Sequence, residues 1–313
     1  MSFSSEVKEE LSRQFQKSRH CQIAEIAAIL AFTGKVEESA LRVYTENLSL
    51  ARKYFMLMKK TFHVDVKIAV RQSRAIHRNR VFVISLTQPQ EVTKVLQAVK
   101  WQDEEGRDIR GQELAHGLLV QNGCCRRAFI RGAFLSAGSM SDPEKSYHFE
   151  IVCSTQEKAE QLMEIINSFD IDAKIVLRKK SYVVYVKEGA QIVDMLNIME
   201  AHVALMNLEN VRILKEMRNS VNRQVNCETA NINKTVNAAV KQVQDINYIQ
   251  EKVGLDSLPE NLREIAEVRL QYPEAPLKEL GTFLEPAVGK SGVNHRLRKL
   301  CEMAEDLREK AKG

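Results

Sequence analysis

Two apolar segments that each end in a glycine, Ile29-Leu-Ala-Phe-Thr-Gly34 and Ala133-Phe-Leu-Ser-Ala-Gly138, indicate how this chain folds. The second follows the first after 104 positions. Another pair, Phe62–Ile68 and Phe169–Ile175, is separated by 107 positions and shares a Phe, an Asp, a Lys and an Ile. Because each copy is far longer than a solenoid repeat, the pattern predicts a duplicated half-domain, with two similar lobes that meet at a pseudo-two-fold interface.

The composition is that of a globular protein with room for about two domains. The chain has 313 residues, of which 44% are hydrophobic and 28% are charged. No apolar run approaches the roughly 20 residues that span a bilayer. The N-terminal segment is amphipathic and acidic, which is not typical of a signal peptide. We therefore expect a cytoplasmic protein without a membrane partner.

The six cysteines show no Cys-x-x-Cys spacing and no histidine at zinc-ligand intervals along the chain; they are Cys21, Cys124, Cys125, Cys153, Cys227 and Cys301. This pattern predicts reduced thiols and no metal site. A redox switch is the weaker alternative.

Basic residues concentrate in three stretches. Residues 52–80 contain nine Lys or Arg and one acid, residues 174–187 contain five basic residues and no acid, and residues 286–301 contain four and no acid. A solvated face would explain one such stretch, but the first two occupy equivalent places in the repeats, which favours a polyanionic partner. The candidate contacts in the lobes are Lys67, Arg71, Arg74, Arg78, Arg80, Lys174, Arg178, Lys179 and Lys180.

Both repeats predict the same order of elements, αββαββα, in lobes of about 20–100 and 125–201. The expected segments are helices 23–32 and 128–136, strands near 41–44 and 147–153, helices 47–61 and 154–168, hairpins 64–71 with 80–86 and 171–178 with 181–187, and helices 89–100 and 190–201. Gly34 and Gly138 suit left-handed helix caps. The fold class is therefore α+β, with the duplicated domain followed by an all-α domain.

Small residues recur on the two glycine-ended helices. The first helix carries Ala24, Ala27, Ala28 and Ala31, and the second carries Gly132, Ala133, Ser136 and Ala137. Small side chains allow two helix backbones to approach closely, so we expect these helices to form the interface between the lobes. Simple helix propensity is the alternative.

This lobe order, with its small-faced and glycine-ended helix, resembles the double-LAGLIDADG homing endonucleases. The resemblance implies two helices packed on the pseudo-two-fold axis, a saddle of strands over the DNA major groove, and an acid before each helix-ending glycine that binds divalent metal. Thr33 and Ala137 stand at those acid positions here. Neither offers the carboxylate oxygen that a hard cation needs, and Glu37, Glu38 and Asp142 are out of register. We therefore expect the nuclease activity to be absent from the domain 1–201.

The C-terminal third has helical periodicity. Residues 202–222 resemble a helical connector, and 223–313 a helical domain. Several asparagines lie near this boundary, where capping and turns would explain them. Contact with phosphates or bases is the alternative, and its candidate residues are Asn222, Arg223, Asn226, Asn233 and Lys234.

A helix-turn-helix is predicted at about 276–309. It combines a short helix (277–284), a turn (285–289) and a long helix from about Ser291, with Ser291 as N-cap. Val293, Leu297, Leu300 and Ala304 form the predicted buried stripe, and the candidate DNA-binding residues beside it are Lys290, Ser291, Asn294, His295, Arg296, Arg298 and Lys299. Arg and Lys pair with guanine and Asn with adenine, whereas a plain helical hairpin is the alternative.

A degenerate LAGLIDADG-like repeat followed by this motif resembles the WhiA family of bacterial regulators, most strongly over 222–231 and 290–300. The resemblance implies a non-enzymatic, nucleoid-associated DNA-binding factor linked to cell division and chromosome segregation, and to sporulation in some relatives. It implies double-stranded DNA as partner, protein partners of transcription or division, no cofactor and no small-molecule substrate. The alternatives are a protein-interaction scaffold with basic lobes and a residual metal-dependent endonuclease.

Overall fold

The computed structural model describes residues 2–72, 80–111 and 113–311. The chain forms two compact units, Met1–Lys215 and Glu216–Gly313. Arg74 and Arg78, two of the candidate contacts, lie outside the described residues. Within the described ranges, no helix combines the length and the apolar character that crossing a membrane requires.

The first lobe has the predicted order of elements. Its members are α2 (Arg19–Thr33), β1 (Gly34–Glu37), β2 (Ala40–Thr45), α3 (Leu48–Phe62), β3 (Lys67–Gln72), β4 (Arg80–Leu86) and α4 (Pro89–Ala98). An additional helix that the sequence analysis did not predict, α1 (Phe3–Arg13), precedes them and buries Val7 and Leu11 in the core. The strands form an antiparallel sheet in the order β1-β2-β4-β3.

The second lobe repeats the same arrangement. Its members are α5 (Gly123–Ala137), β5 (Gly138–Met140), β6 (Phe149–Cys153), α6 (Gln156–Asn167), β7 (Lys174–Arg178), β8 (Ser181–Val186) and α7 (Gly189–Met199). Its sheet has the equivalent order, β5-β6-β8-β7. The predicted duplication and the order αββαββα are therefore confirmed in both lobes.

The two central helices pack against each other through their small residues, as predicted. Ala24, Ala28 and Ala133 are completely buried. At Gly132 the backbones are so close that a Cβ atom would lie 2.6 Å from the carbonyl oxygen of Glu25 and 2.9 Å from Cβ of Ala28. Glycine at this position therefore allows α5 to approach α2.

The glycines that end these helices have another role than the predicted one. Gly34 and Gly138 both have φ of −84°, with ψ of 142° and 154°, so neither is a left-handed cap. They are the first residues of β1 and β5. A Cβ atom at either position would lie 2.7 Å from the carbonyl oxygen four residues earlier, that of Leu30 or Phe134. The chain needs glycine there because it passes directly from helix to strand beside its own last turn.

A buried ionic network, which no sequence pattern predicted, joins the lobes. Glu25 on α2, Lys53 on α3 and Arg131 on α5 are all fully buried or nearly so. Oε1 of Glu25 lies 3.1 Å from both Nζ of Lys53 and Nε of Arg131. Arg131 also reaches Glu200, after α7, at 3.1 Å. Burial lowers the pKa of Lys53, and the negative charge of Glu25 opposes that effect.

The remaining helices begin with α8 (His202–Lys252), which is one continuous helix of 51 residues. The segment predicted as a connector therefore continues into the following helix without a break. The asparagines near its middle are exposed helical residues, so the interpretation of them as caps and turns is wrong. Continuous helix places Asn222, Asn226 and Asn233 on one face, because their spacings of four and seven residues match the helical repeat.

The second unit contains the C-terminal part of α8, α9 (Glu260–Gln271), α10 (Leu277–Leu280), a 3-10 turn (Gly281–Phe283) and α11 (Lys290–Lys310). Its own core includes Ile246, Ile265, Leu280 and Leu297. α9 ends at Gln271, and the predicted buried stripe of α11 is confirmed. Ser291 is not the N-cap, because α11 begins one residue earlier with Gly289 as its cap.

Candidate nucleic-acid interface

One face of α11 is held in the core of the second unit and the other face is exposed. Val293, Leu297, Leu300 and Ala304 are buried, with spacings of three and four residues that place them on one side of the helix. The opposite side of the N-terminal half carries Ser291, Asn294, His295, Arg298 and Lys299, all exposed, together with Lys290 in the first turn. No acidic residue occurs from Lys290 to Cys301, so this face is positively charged.

Two of the predicted arginines have protein partners. Nη1 of Arg296 donates a hydrogen bond of 3.4 Å to the carbonyl oxygen of Asn261 and lies 3.6 Å from Glu264. Arg296 therefore faces α9, away from the exposed side, and fixes the orientation of α11. Nε of Arg298 lies 3.0 Å from Glu302, but both side chains are largely exposed. Solvent screens such a pair, so Arg298 can exchange Glu302 for another anion.

The turn before α11 depends on a close backbone contact. Gly281 is buried, and its carbonyl oxygen accepts a hydrogen bond of 2.9 Å from the backbone N–H of Val288. A Cβ atom at Gly281 would collide with the carbonyl oxygen of Val288. Glycine here sets the angle at which α11 leaves the turn, and hence where its N-terminal residues point.

Arg269 braces the same region and was missed by the sequence analysis. It is 2% exposed, and its guanidinium donates to Oε1 of Gln242 at 2.8 and 3.0 Å and to the carbonyl oxygens of Pro273 and Ala275 at 3.3 and 2.8 Å. Burial lowers the pKa of Arg269. These bonds attach the α9–α10 loop to α8. Nothing local in the sequence distinguished this arginine from an exposed one.

The candidate residues of α8 divide into two groups. Lys234 lies on the wall of a groove of about 1080 Å³ that is also lined by Lys290 and Asn294 of α11. The structure therefore brings Lys234 into the same surface as the predicted recognition helix. Asn222, Arg223, Asn226 and Asn233 are exposed and are not among the residues that line this groove.

The basic residues of the two hairpins occupy equivalent positions in the two sheets. Lys67 pairs with Ser85 and Arg71 with Val81 in the first sheet; Lys174 pairs with Tyr185 and Arg178 with Ser181 in the second. Ile84 and Leu86 on the alternate positions of β4 belong to the core. Because side chains alternate along a strand, Lys67 and Arg71 lie on the sheet face that points away from the helices. Arg80 is exposed at the start of β4, and Lys179 and Lys180 are exposed in the turn between β7 and β8.

The two hairpins nevertheless differ in whether their basic side chains are paired with a carboxylate. Arg178 makes a two-pronged contact with Glu150, at 2.9 and 3.1 Å, and Lys174 lies 3.2 Å from Asp172. Burial acts to raise the pKa of Glu150, but hydrogen bonds from Arg178, His148 and Ser139 outweigh it, so the pKa lies below its ordinary value. For Lys67, Arg71 and Arg80 no carboxylate lies within ion-pair distance among the described residues.

The positions that resemble a metal-binding nuclease centre offer little for a cation. Thr33 donates its hydroxyl to the carbonyl oxygen of Ile29 at 2.6 Å, and Ala137 has no polar side chain. Of the nearby acids, Glu37 accepts hydrogen bonds from Tyr44 at 2.7 Å and Arg42 at 2.9 Å. In the part of the chain that the structure describes, no cluster of metal-ligating side chains lies at this end of α2 and α5.

A cluster of this kind does lie at the other end of the same helices. His20, Cys21, Cys124 and Cys125 have one ligand atom each within 4.8 Å of all the others. Burial and the neighbouring sulfur atoms raise the pKa of Cys21 to about 12. The spacing of cysteines and histidines along the chain predicted no metal site, because these residues come from helices about a hundred positions apart. The two adjacent pairs, at equivalent places in the repeats, were the available signal.

The comparisons with known proteins cover almost the whole chain. Residues 19–100 match the WhiA N-terminal LAGLIDADG-like domain, 126–218 the WhiA LAGLIDADG-like domain and 221–304 the WhiA C-terminal HTH domain. The "Probable cell division protein WhiA" of Lachnoclostridium phytofermentans is 57% identical over 314 residues, which cover 99% of this chain and 100% of that protein. The protein of the same name from Alkaliphilus oremlandii is 51% identical over 318 residues, which cover 99% and 98%.

A solved structure gives the same result for the fold. The crystal structure of full-length DUF199/WhiA from Thermatoga maritima has a TM-score of 0.61 and 25% sequence identity, covering 98% of this chain and 99% of that one. Two LAGLIDADG-like domains followed by a helix-turn-helix domain, and relatives this similar over their full length, show that the chain belongs to the WhiA family.

Proposed function

We propose that the chain is a non-enzymatic DNA-binding regulator in which residues 223–313 recognise DNA sequence and the lobes within 1–201 add a second basic surface. The observation that carries the proposal is the exposed, acid-free N-terminal half of α11, whose opposite face is buried. A helix supported in this way presents Asn and Arg side chains at a fixed distance from the core, as a recognition helix does in the major groove.

The name of the relatives supports a biological setting. Proteins up to 57% identical are called probable cell division proteins, so we place the regulator in cell division. Control of transcription, chromosome segregation and, in sporulating relatives, septation belong to the same proposal, as do a nucleoid location and protein partners of transcription or division.

The first experiment measures duplex DNA binding by the full chain in a salt series, after selection of bound sequences from a random duplex library. Asn294→Ala and Arg298→Ala should each cost about 1–3 kcal/mol at one base pair and relax specificity there. Lys299→Ala should weaken all sequences alike and lower the salt slope by about 1.

Lys310→Ala is the matched control, because Lys310 is an exposed lysine about 16 Å beyond Lys299 along the same helix, at a rise of 1.5 Å per residue. We expect it to leave affinity and specificity unchanged. If Arg298→Ala and Lys299→Ala behave like this control, α11 is not the recognition helix. If the unaltered full chain does not bind duplex DNA, the proposal fails and the basic surfaces must meet protein partners.

Loss of the nuclease chemistry is tested separately. Supercoiled plasmid incubated with the full chain and Mg²⁺ should remain uncut, since Thr33 and Ala137 supply no carboxylate. Nicking that increases with Mg²⁺ and persists through successive purification steps would revive the endonuclease alternative.

A further inference from the structure

The N-terminal ends of α2 and α5 bring three cysteines and one histidine together. Nδ1 of His20 lies 3.1 Å from Sγ of Cys125 and 3.3 Å from Sγ of Cys21. Cys124 completes the group, with all four ligand atoms within 4.8 Å of one another. We propose that these four residues form a structural Zn²⁺ site that ties the two lobes together.

The pseudo-two-fold symmetry of the fold explains why the four residues meet. At the offset of 104 positions that relates Gly34 to Gly138, His20 corresponds to Cys124 and Cys21 to Cys125. Each helix therefore contributes an adjacent pair from the second and third positions of its first turn. In both pairs the second residue is buried and the first is exposed, so the site has a closed side against the helix interface and an open side for entry of the ion.

The distances suit a tetrahedral zinc ion. Bonds of about 2.3 Å to sulfur and about 2.0–2.1 Å to nitrogen place neighbouring sulfur atoms about 3.8 Å apart and a nitrogen about 3.5 Å from a sulfur. The observed N–S distances of 3.1 and 3.3 Å are a few tenths of an ångström shorter. Small side-chain rotations would lengthen these two distances and bring the sulfur atoms, which lie at most 4.8 Å apart, to the tetrahedral spacing.

The types of ligand select the metal. Three thiolates and one imidazole are a donor set that zinc prefers, whereas Mg²⁺ and Ca²⁺ need oxygen ligands. Four protein ligands leave no open coordination position for a substrate, which is typical of a structural site.

The site has a mechanical consequence. Directly beneath it, Ala24 and Ala128 are completely buried between the same two helices. A metal bond between residues 21 and 125 closes a loop of about a hundred residues in the unfolded chain, and such a constraint stabilises the folded state. The Zn²⁺ ion would therefore hold the N-terminal ends of α2 and α5 together. Their C-terminal ends continue directly into β1 and β5 through Gly34 and Gly138.

The test is the zinc content and zinc affinity of the full chain, prepared with reduced thiols and dialysed against Zn²⁺. We expect one Zn²⁺ per chain by elemental analysis. Replacement by Co²⁺ should produce thiolate-to-metal charge-transfer bands and the intense visible bands of tetrahedral cobalt. A chain that retains no Zn²⁺ after removal of loosely bound metal would overturn the proposal.

Variants at the exposed ligands avoid damage to the core. His20→Ala and Cys124→Ser should each reduce Zn²⁺ affinity at least about tenfold and abolish the tetrahedral cobalt spectrum. Cys227→Ser, at an exposed cysteine of α8, is the matched control and should bind Zn²⁺ as the unaltered chain does. Equal loss in this control, or no loss in His20→Ala and Cys124→Ser, would contradict the assignment.

Two further measurements separate the site from its alternatives. Zn²⁺ should raise the thermal unfolding midpoint of the unaltered chain and of Cys227→Ser, but not that of Cys124→Ser. Mass spectrometry of peptides from non-reduced protein checks for a bond between Cys21 and either Cys124 or Cys125. Finding such a disulfide in freshly isolated protein, in place of bound metal, would overturn the zinc site in favour of a redox link.

Discussion

At the scale of single residues, the least tolerant position we identify is Glu25. Its carboxylate is the shared partner of Lys53 and Arg131, and all three side chains are at most 1% exposed. A buried charge that loses its partner keeps its desolvation cost. Removal of one member of the ionic network therefore destabilises the folded state. This holds even if the intact network contributes little net stability.

We predict that Glu25→Ala lowers the free energy of unfolding by about 3–5 kcal/mol, measured by chemical denaturation. Glu160→Ala is the control, because Glu160 is an exposed acid on α6 that accepts a hydrogen bond from Gln156, one helical turn earlier. It should change stability by less than about 0.5 kcal/mol. Equal effects of the two substitutions would show that the buried network does not need its carboxylate.

At the scale of elements, glycines determine how helices and turns join. Gly132 allows α5 to contact α2, and Gly281 allows the turn before α11 to close on itself. Neither has a positive φ, so the requirement is for space and not for a left-handed backbone. A helix followed by glycine is a pattern that fits either a left-handed cap or a need for space. The sequence pattern at the ends of α2 and α5 therefore predicted left-handed caps, where the structure shows a close backbone contact.

We predict that Gly281→Ala destabilises the helix-turn-helix by about 1–3 kcal/mol, as overpacking does, and weakens DNA binding with it. Gly289→Ser tests the specificity of that effect. Gly289 has no atom near an added Cβ and is the N-cap of α11, a position that favours serine. Gly289→Ser should therefore keep or slightly increase stability; an equal loss in both variants would contradict the close-contact argument.

At the scale of the whole molecule, the two basic surfaces have distinct proposed roles. The helical domain has no excess of charge, since residues 223–313 contain fourteen basic and fourteen acidic residues. Its affinity for DNA must then depend on local geometry at α11. The hairpins of the lobes would add contacts to phosphates, which position a protein on DNA without specifying sequence.

We predict that Lys67→Ala weakens binding of the full chain to every duplex sequence alike and lowers the salt slope by about 1. Arg178→Ala should have the smaller effect, because two hydrogen bonds already hold Arg178 on Glu150, a carboxylate that is only 13% exposed. Lys17→Ala is the control, since Lys17 is an exposed lysine in the segment between α1 and α2 and belongs to no strand. Unchanged binding in Lys67→Ala would assign this hairpin to a protein partner.

The sequence by itself determined the duplication, the order of elements in each lobe, the small-residue interface and the buried stripe of α11. These features are periodic or repeated along the chain, and burial of one face imposes that periodicity directly. The continuity of α8 was less predictable, because exposed asparagines near its middle suit both turns and a long solvated helix.

Only the tertiary structure decided which polar residues meet. The Glu25–Lys53–Arg131 network, the bonds of Arg269 and the group formed by His20, Cys21, Cys124 and Cys125 each join residues that are far apart in sequence. The tertiary structure also distinguishes the predicted DNA-binding residues from one another. Arg296 contacts α9, whereas Asn294 and Arg298 lie on the exposed side of α11. The reason is that one charged or sulfur-containing residue has no periodic signature, so its partner is known only once the helices have packed.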